Sequence, residues 1–249
     1  MKINDRSKFN QLPDVFLFDT DNTLYSYNEP HFHAMSAVKK KMTVMFSISE
    51  KDFENAFSSA RQQIKERLEG QAASHSRLLY MQRVLELLGL GSQVLTALDL
   101  EQTYWRTFLS NAVLFEGVKE LLDDIRILDI PAVVVTDLTA QIQFRKLVYF
   151  GLDNSFDFIV TSEEAGFDKP NPSPFNIAVD KADAKDGTIW MIGDNPVNDI
   201  RGAREAINAT TIQKLHRGIE IGKGSCAPDA TFENFSDIIH LLGKLGRIE

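Results

Sequence analysis

Two acids one residue apart, Asp19 and Asp21, follow directly on the apolar run Val15-Phe16-Leu17-Phe18. Carboxylates this close repel each other unless a cation or a shared proton relieves them. A divalent metal with hard oxygen ligands would do so, and Mg²⁺ suits a site that also holds phosphate. One carboxylate can then attack a phosphorus atom while the other handles the proton of the leaving group. Taken alone, the pair also fits an acidic turn that closes a strand, because Asp, Asn and Thr are common turn formers.

Three further clusters repeat the grammar of an apolar run that ends in polar groups. Val133-Val134-Val135 leads into Thr136-Asp137, where a hydroxyl and a backbone N–H would suit a phosphate oxygen or simply cap a helix. Lys169 sits in Phe167-Asp168-Lys169-Pro170-Asn171-Pro172-Ser173-Pro174, a loop stiffened by three prolines. An ammonium fixed there would neutralise charge near two acids and a phosphate, or it is a solvated side chain. Trp190-Met191-Ile192 runs into Gly193-Asp194, with Asp199 five residues after Asp194. Gly193 lets the backbone pass close to a neighbour. Asp194 is placed as a third oxygen ligand for a metal, and Asp199 can hold Lys169 or a metal-bound water. Their plain alternatives are a turn cap and a helix N-terminal acid.

The elements that must position these groups alternate along the chain. Val15 to Phe18 reads as a buried strand. From Glu29 to Leu114 no strand-like run occurs, and apolar residues recur at helical spacing over 31–46, 50–68, 75–88 and 94–108. Ser49 with Asp52 resembles a capping box, and Gly89 suits a helix C-cap. Helices are expected over 118–128, 140–150, 174–181, 198–207 and 235–245, with strands over 132–136, 156–161, 188–192, 210–215 and 230–232. Strand and helix taking turns implies an α/β fold with a doubly wound, mostly parallel sheet covered on both faces. Ligands bind at the carboxyl ends of strands in such sheets, and all four clusters fall there. The expected division is a core from 1–27 and 115–249 with an inserted helical domain over 28–114.

Composition narrows the setting. The chain has 249 residues, 43% hydrophobic and 25% charged, an ordinary globular balance. A net charge of −8 argues against a nucleic-acid partner. No run is long enough to cross a bilayer, and residues 1–13 lack the apolar segment of a secretory signal. The single Cys226 cannot form an internal disulfide and is compatible with a cytoplasmic location. A monomer or a homodimer is expected.

In order along the chain, the acid pair, hydroxyl, Lys and second acid pair resemble the haloacid dehalogenase-like (HAD) hydrolases across essentially the whole length. The D-x-D-x-T motif of that superfamily is met by Asp19-Thr20-Asp21-Asn22-Thr23, its strand-terminal Ser/Thr by Thr136, and its Lys by Lys169. Its G-D-x-x-x-x-D motif is met by Gly193-Asp194 and Asp199. The resemblance implies a Rossmann-like core with a mobile α-helical cap. Asp19 would be the nucleophile forming an aspartyl-phosphate, and Asp21 the acid and then the base. Mg²⁺ would be held by the Asp19 carboxylate, the Asp21 carbonyl and Asp194, with Asp199 in support. Thr136, Lys169 and the N–H groups around Asp21, Asn22 and Asp137 would hold the phosphoryl oxygens. Asn22 stands where Gly is commonest in the motif, but Asn tolerates a left-handed backbone. Asp137 stands where Asn is frequent, so its backbone N–H is taken as the contact. Family dehalogenases lack an acid at the position of Asp21, so Asp21 argues for a phosphatase or phosphomutase.

The implied function is a Mg²⁺-dependent phosphomonoesterase acting on a small phosphate ester, such as a nucleoside 5′-monophosphate or a sugar phosphate. A sugar-phosphate phosphomutase and a non-catalytic binding or regulatory protein on the same scaffold are the alternatives. Of the remaining polar residues, His31 and His33 are expected at the surface rather than as a metal pair, because i and i+2 diverge on a helix. Lys39-Lys40-Lys41 is expected to be a solvated face. His75, Arg77 and Tyr80 are candidates to meet the non-phosphate part of a substrate.

Overall fold

The computed structural model describes residues 1–246. They divide into two compact units, one of residues 1–26 and 113–246 and the other spanning Tyr27–Ala112.

The first unit is built on a seven-stranded sheet of β1 (Lys2–Ile3), β2 (Val15–Phe18), β3 (Ala132–Thr136), β4 (Phe158–Thr161), β5 (Ile189–Gly193), β6 (Thr210–Lys214) and β7 (Ala230–Phe232). The spatial order is β1-β7-β6-β5-β2-β3-β4, parallel throughout except where β1 pairs antiparallel with β7. Every residue of β2, β3, β5 and β6 is buried. This is why β2, β3 and β5 run apolar or β-branched without alternation, while β6 ends in Gln213 and Lys214, which donate to backbone carbonyls. Val15 and Leu17 point into a cluster with Val133, Val135, Met191, Phe175, Ala178 and Ala203, the last three from the helices α8 (Pro172–Lys181) and α9 (Gly202–Ile207). Phe16 and Phe18 point to the opposite face, where Trp190 and Phe156 meet them edge-on. Helices α5 (Val118–Ile127) and α10 (Phe235–Leu245) pack on each other and on β3 and β7.

Helix α6 (Ala140–Phe150) occupies its expected range. Three local features differ from expectation. The edge strand β1 is only two residues long, too short for a periodic signal. A four-residue helix α7 (Ser162–Ala165) follows β4 without a break, started by the Thr161 hydroxyl accepting from Glu164 N at 3.3 Å. The helix expected from Asn198 begins earlier, as a π-helical turn Pro196–Arg201 that continues into α9.

The second unit consists of helices α1 (Asn28–Phe46), α2 (Glu50–Arg67), α3 (Arg77–Leu87) and α4 (Val94–Asn111), with a 3₁₀ turn at Ala72–His75. Ser49 caps α2, its hydroxyl accepting from Asp52 N at 3.1 Å, and Gly89 follows α3 with φ 74°. The interior is aromatic, with Phe53, Tyr80, Tyr104 and Phe108 fully buried. His31 is not the surface residue expected. It is half-buried with its Nδ1 2.7 Å from the Tyr104 hydroxyl, and burial, with Arg77 and Arg61 adding, lowers its pKa to about 4. His33 is exposed. The lysine triplet is not a uniform solvated face either. Lys39 pairs with Glu54 at 2.6 Å and Lys41 with Asp99 at 2.5 Å, while Lys40 alone is exposed. Arg77 donates to the Tyr27 hydroxyl and to His75 O, and the Tyr80 hydroxyl donates to Ser74 O.

Candidate active site

Sheet register does the first part of the positioning. Phe18 lies opposite Val134 on β3 and Ile192 on β5. Asp19 therefore leaves β2 at the level where β3 ends in Thr136 and β5 ends in Gly193-Asp194. The Asp19 N–H continues the ladder to Ile192 O at 2.9 Å, so the nucleophile candidate is held by sheet backbone rather than by a free loop.

The chain then turns. Leu24 N donates to Thr20 O at 2.9 Å, and Asn22 takes the left-handed conformation, φ 64°, that its residue type tolerates. The turn brings Thr23 back so that its hydroxyl donates to Asp19 Oδ2 at 2.9 Å. The other Asp19 oxygen receives Lys169 Nζ at 2.8 Å, and the same ammonium donates to Asp199 Oδ1 at 2.6 Å and to Val135 O at 2.8 Å. All three ammonium protons are thus committed. Burial works against this charge, but Asp19, Asp199 and Asp137 outweigh it and hold the Lys169 pKa well above its usual value.

Gly193 explains how Asp199 reaches this place. A Cβ at Gly193 would lie 2.4 Å from Asp199 Cβ, so the bare backbone is what lets the Asp199 side chain rest against the strand end. Asp199 Oδ2 accepts from Asn195 N at 2.9 Å, and Asn195 Oδ1 in turn caps Val197 N at 2.9 Å. Single π turns of this kind gather at functional sites.

Oxygens of Asp19, Asp194 and Asp199 lie within 4.8 Å of one another. No hydrogen bond or ion pair among the described residues reaches the Asp194 carboxylate, whose backbone carbonyl is held by Gln213 Nε2 at 2.8 Å. Burial, with Asp19 and Asp199 adding, pushes the Asp194 pKa up to about 9. Burial, opposed by Lys169 and reinforced by Asp199, pushes Asp19 up to about 7. Three buried carboxylates against one ammonium leave negative charge uncompensated. Hard anionic oxygens at this spacing fit a divalent cation such as Mg²⁺. Asp19 and Asp199 each accept on both oxygens, so Asp194 is the freest donor of the three.

The Thr136 hydroxyl lies 2.8 Å from that of Thr20 and accepts from Gln143 Nε2 at 2.9 Å. Asp137 has its carboxylate held by two donors. Its Oδ1 accepts from Lys169 N at 2.9 Å and Ser162 Oγ at 3.1 Å, tying the Thr136 loop to the Lys169 loop. Burial, although opposed by Lys169, raises its pKa. The Asp21 carboxylate receives Lys146 Nζ at 2.7 Å on Oδ1 and 2.9 Å on Oδ2, and the Tyr25 hydroxyl on Oδ1. Of the eight residues singled out from the sequence, Lys169 joins Asp19, Asp199 and Asp137, and an oxygen of Asp194 lies within 4.8 Å of oxygens of Asp19 and Asp199. Thr136 is bonded to Thr20 and Gln143, Asp21 to Lys146 and Tyr25, and Asn22 sets the turn. Sequence reasoning missed Tyr25, Gln143, Lys146 and Gln213. For two of these a signal was present: Gln143 and Lys146 interrupt the buried face of α6, which is otherwise Ile142, Leu147 and Phe150.

The haloacid dehalogenase-like hydrolase family profile matches residues 16–212, and the chain belongs to that family. Ribulose-1,5-bisphosphate 5-phosphatase of Halopiger xanaduensis is 33% identical over 198 residues, covering 79% of this chain and 82% of its own. Among solved structures, a 2-haloacid dehalogenase from Pseudomonas syringae superposes with a TM-score of 0.73 at 21% identity, over 92% of this chain and 98% of its own. A HAD hydrolase from Bacillus subtilis bound to magnesium superposes with a TM-score of 0.64 at 20% identity, over 92% and 97%. These two share the fold. Relatives include phosphatases of sugar phosphates and other small metabolites, and the chain is a phosphatase of this family. Among the described residues no helix is long and apolar enough to cross a membrane.

Proposed function

We propose that the protein is a Mg²⁺-dependent phosphomonoesterase that hydrolyses a small sugar phosphate through an aspartyl-phosphate on Asp19. The observation that carries this reading is the buried Lys169 ammonium bridging Asp19 and Asp199, with the unbonded Asp194 carboxylate beside them. Such a constellation holds one carboxylate oxygen rigid and leaves negative charge for a cation to balance. The sugar-phosphate preference rests on the 33% identical relative, a ribulose-1,5-bisphosphate 5-phosphatase. A nucleoside 5′-monophosphate is the other ester class to be tested. The lone thiol of Cys226 suits a reducing cytoplasm.

Phosphoryl transfer asks chiefly for positioning and for charge stabilisation. The Asp19 carboxylate attacks phosphorus, and its orientation is set by Thr23 on Oδ2 and Lys169 on Oδ1. The P–O bond to the leaving group breaks, and Asp21 supplies the proton to the departing oxygen. The Thr136 hydroxyl, the Lys169 charge and the N–H groups of Asp21, Asn22 and Asp137 hold the remaining phosphoryl oxygens. Because the Lys169 protons are all engaged, a phosphoryl oxygen takes over one of the existing bonds. Asp21 then accepts a proton from the water that releases phosphate from Asp19. A Mg²⁺ bound by Asp19, Asp194 and the Asp21 carbonyl would supply charge neutralisation between nucleophile and phosphate.

The test is phosphate release from p-nitrophenyl phosphate and from panels of sugar phosphates, sugar bisphosphates and nucleoside monophosphates, with Mg²⁺ and with EDTA. Wild type should be active only with the metal and should favour the sugar phosphates, and Asp19→Asn should be inactive. Turnover that survives Asp19→Asn or EDTA would overturn the mechanism, and a preference for nucleoside monophosphates would overturn the substrate class.

A further inference from the structure

Lys146 is a lysine whose side chain is only 2% exposed, and it donates to both oxygens of an Asp21 side chain that is itself 28% exposed. Burying an ammonium is costly unless it is paired, and a surface lysine would have served a merely solubilising purpose. Lys146 lies one turn after Gln143 on the same face of α6. Gln143 donates to the Thr136 hydroxyl at 2.9 Å and to Asp137 O at 2.7 Å. One rigid helix therefore fixes both the phosphate-side hydroxyl and the proton-handling carboxylate. A carboxylate offers about four lone-pair sites. Oδ1 of Asp21 takes two bonds, from Lys146 and the Tyr25 hydroxyl, while Oδ2 takes one, from Lys146.

We infer that Lys146 and Tyr25 are positioning residues that hold the Asp21 carboxylate with Oδ2 presented as the base for hydrolysis of the aspartyl-phosphate. This deepens, and rests on, the phosphomonoesterase reading above. In the assigned step, a water oxygen bonds to phosphorus and the phosphorus–Asp19 oxygen bond breaks. Its electron pair returns to the Asp19 carboxylate, and the water proton passes to Asp21 Oδ2. Asp21 must be a carboxylate at that moment to accept the proton. Formation of the intermediate from p-nitrophenyl phosphate is insulated from the change, because p-nitrophenolate departs without a proton.

The experiment is stopped-flow release of p-nitrophenolate by Lys146→Met with Mg²⁺, with intact-mass detection of the phosphoryl adduct after acid quench. Misplacing a catalytic group by about an ångström costs roughly 10²-fold. The steady-state rate should fall by about that factor, while a burst approaching one product per enzyme appears and the adduct accumulates. A rate within about threefold of wild type, or a fall with no adduct, would overturn the inference. If Lys146→Met does not fold, Tyr25→Phe keeps the ring against Phe150 and removes one bond to Oδ1. It should show the same burst with roughly a tenfold slower steady state, and a wild-type ratio of the two phases would overturn the inference. Activity remaining in Asp19→Asn would instead strike at the parent reading. An inactive Asp19→Asn beside a Lys146→Met that behaves as wild type would strike at this inference alone.

Discussion

Lys169→Met removes the cation that bridges two carboxylates that are themselves buried, while nearly conserving side-chain volume. Three hydrogen bonds go, at 2.8, 2.6 and 2.8 Å, and Asp19 and Asp199 are left facing each other. Breaking a buried ion pair from one side costs about 3–5 kcal/mol, chiefly through the charge left behind. In a chain of this size 1 kcal/mol moves the melting temperature by roughly 2–4 °C, so the variant should melt roughly 6–20 °C lower. The loss should depend on pH. Asp19 already sits near pH 7 with the ammonium beside it, and without it the carboxyl rises further. A carboxyl whose folded pKa is raised is protonated, and harmless, at low pH. Its penalty grows as pH climbs above the unfolded value, near 4, toward the folded one. Thermal unfolding in EDTA, which keeps a cation from masking the charge, should therefore show a larger deficit at pH 8 than at pH 6. Loss of one preorganised charge donor should also lower phosphate release by roughly 10²–10³-fold. A melting temperature within about 2 °C of wild type at pH 8, or a deficit that shrinks as pH rises, would refute the electrostatic account of this cluster.

Gly193→Ala should displace Asp199, because the new methyl would fall 2.4 Å from Asp199 Cβ. Overpacking of this kind costs about 1–3 kcal/mol, and urea unfolding should show it together with weakened Mg²⁺ binding. Saturating Mg²⁺, at about 100 times its dissociation constant, should stabilise the wild type by roughly 2.7 kcal/mol. Scanning fluorimetry should show this as a rise in melting temperature that is larger at pH 9 than at pH 6. Asp194 and Asp19, pushed up to about 9 and about 7, must lose protons before a cation can bind. An equal rise at both pH values would contradict the assignment of these acids as ligands.

The order of elements was legible because most strands are fully buried and announce themselves as apolar or β-branched runs. Val15 to Phe18, Ala132 to Thr136 and Ala230 to Phe232 lie where the sequence puts them. The site was legible because its groups stand at the ends of those runs. What remained hidden depends on which way a side chain turns. Asp137 carries an acid into a phosphate-side loop, and only the fold shows that Lys169 N and Ser162 donate to that carboxylate. The Asp21–Lys146 pair spans 125 residues of chain, a distance over which no local pattern speaks. His31 looked like a surface residue because helical spacing cannot show that the Tyr104 hydroxyl lies 2.7 Å away.

At the doorway where the helical insertion departs and returns, Phe115 N donates to Leu24 O at 2.9 Å and Tyr25 bridges to Leu114. The outgoing and incoming chains are stitched side by side before the insertion begins. For the sheet, the whole intervening segment is one loop that those two tethers close at its base. Loop-closure entropy grows only slowly with length. A core arranged in this way can exchange what it carries at that gate, or lengthen it, without renegotiating the register that aligns Asp19 with Thr136 and Asp194.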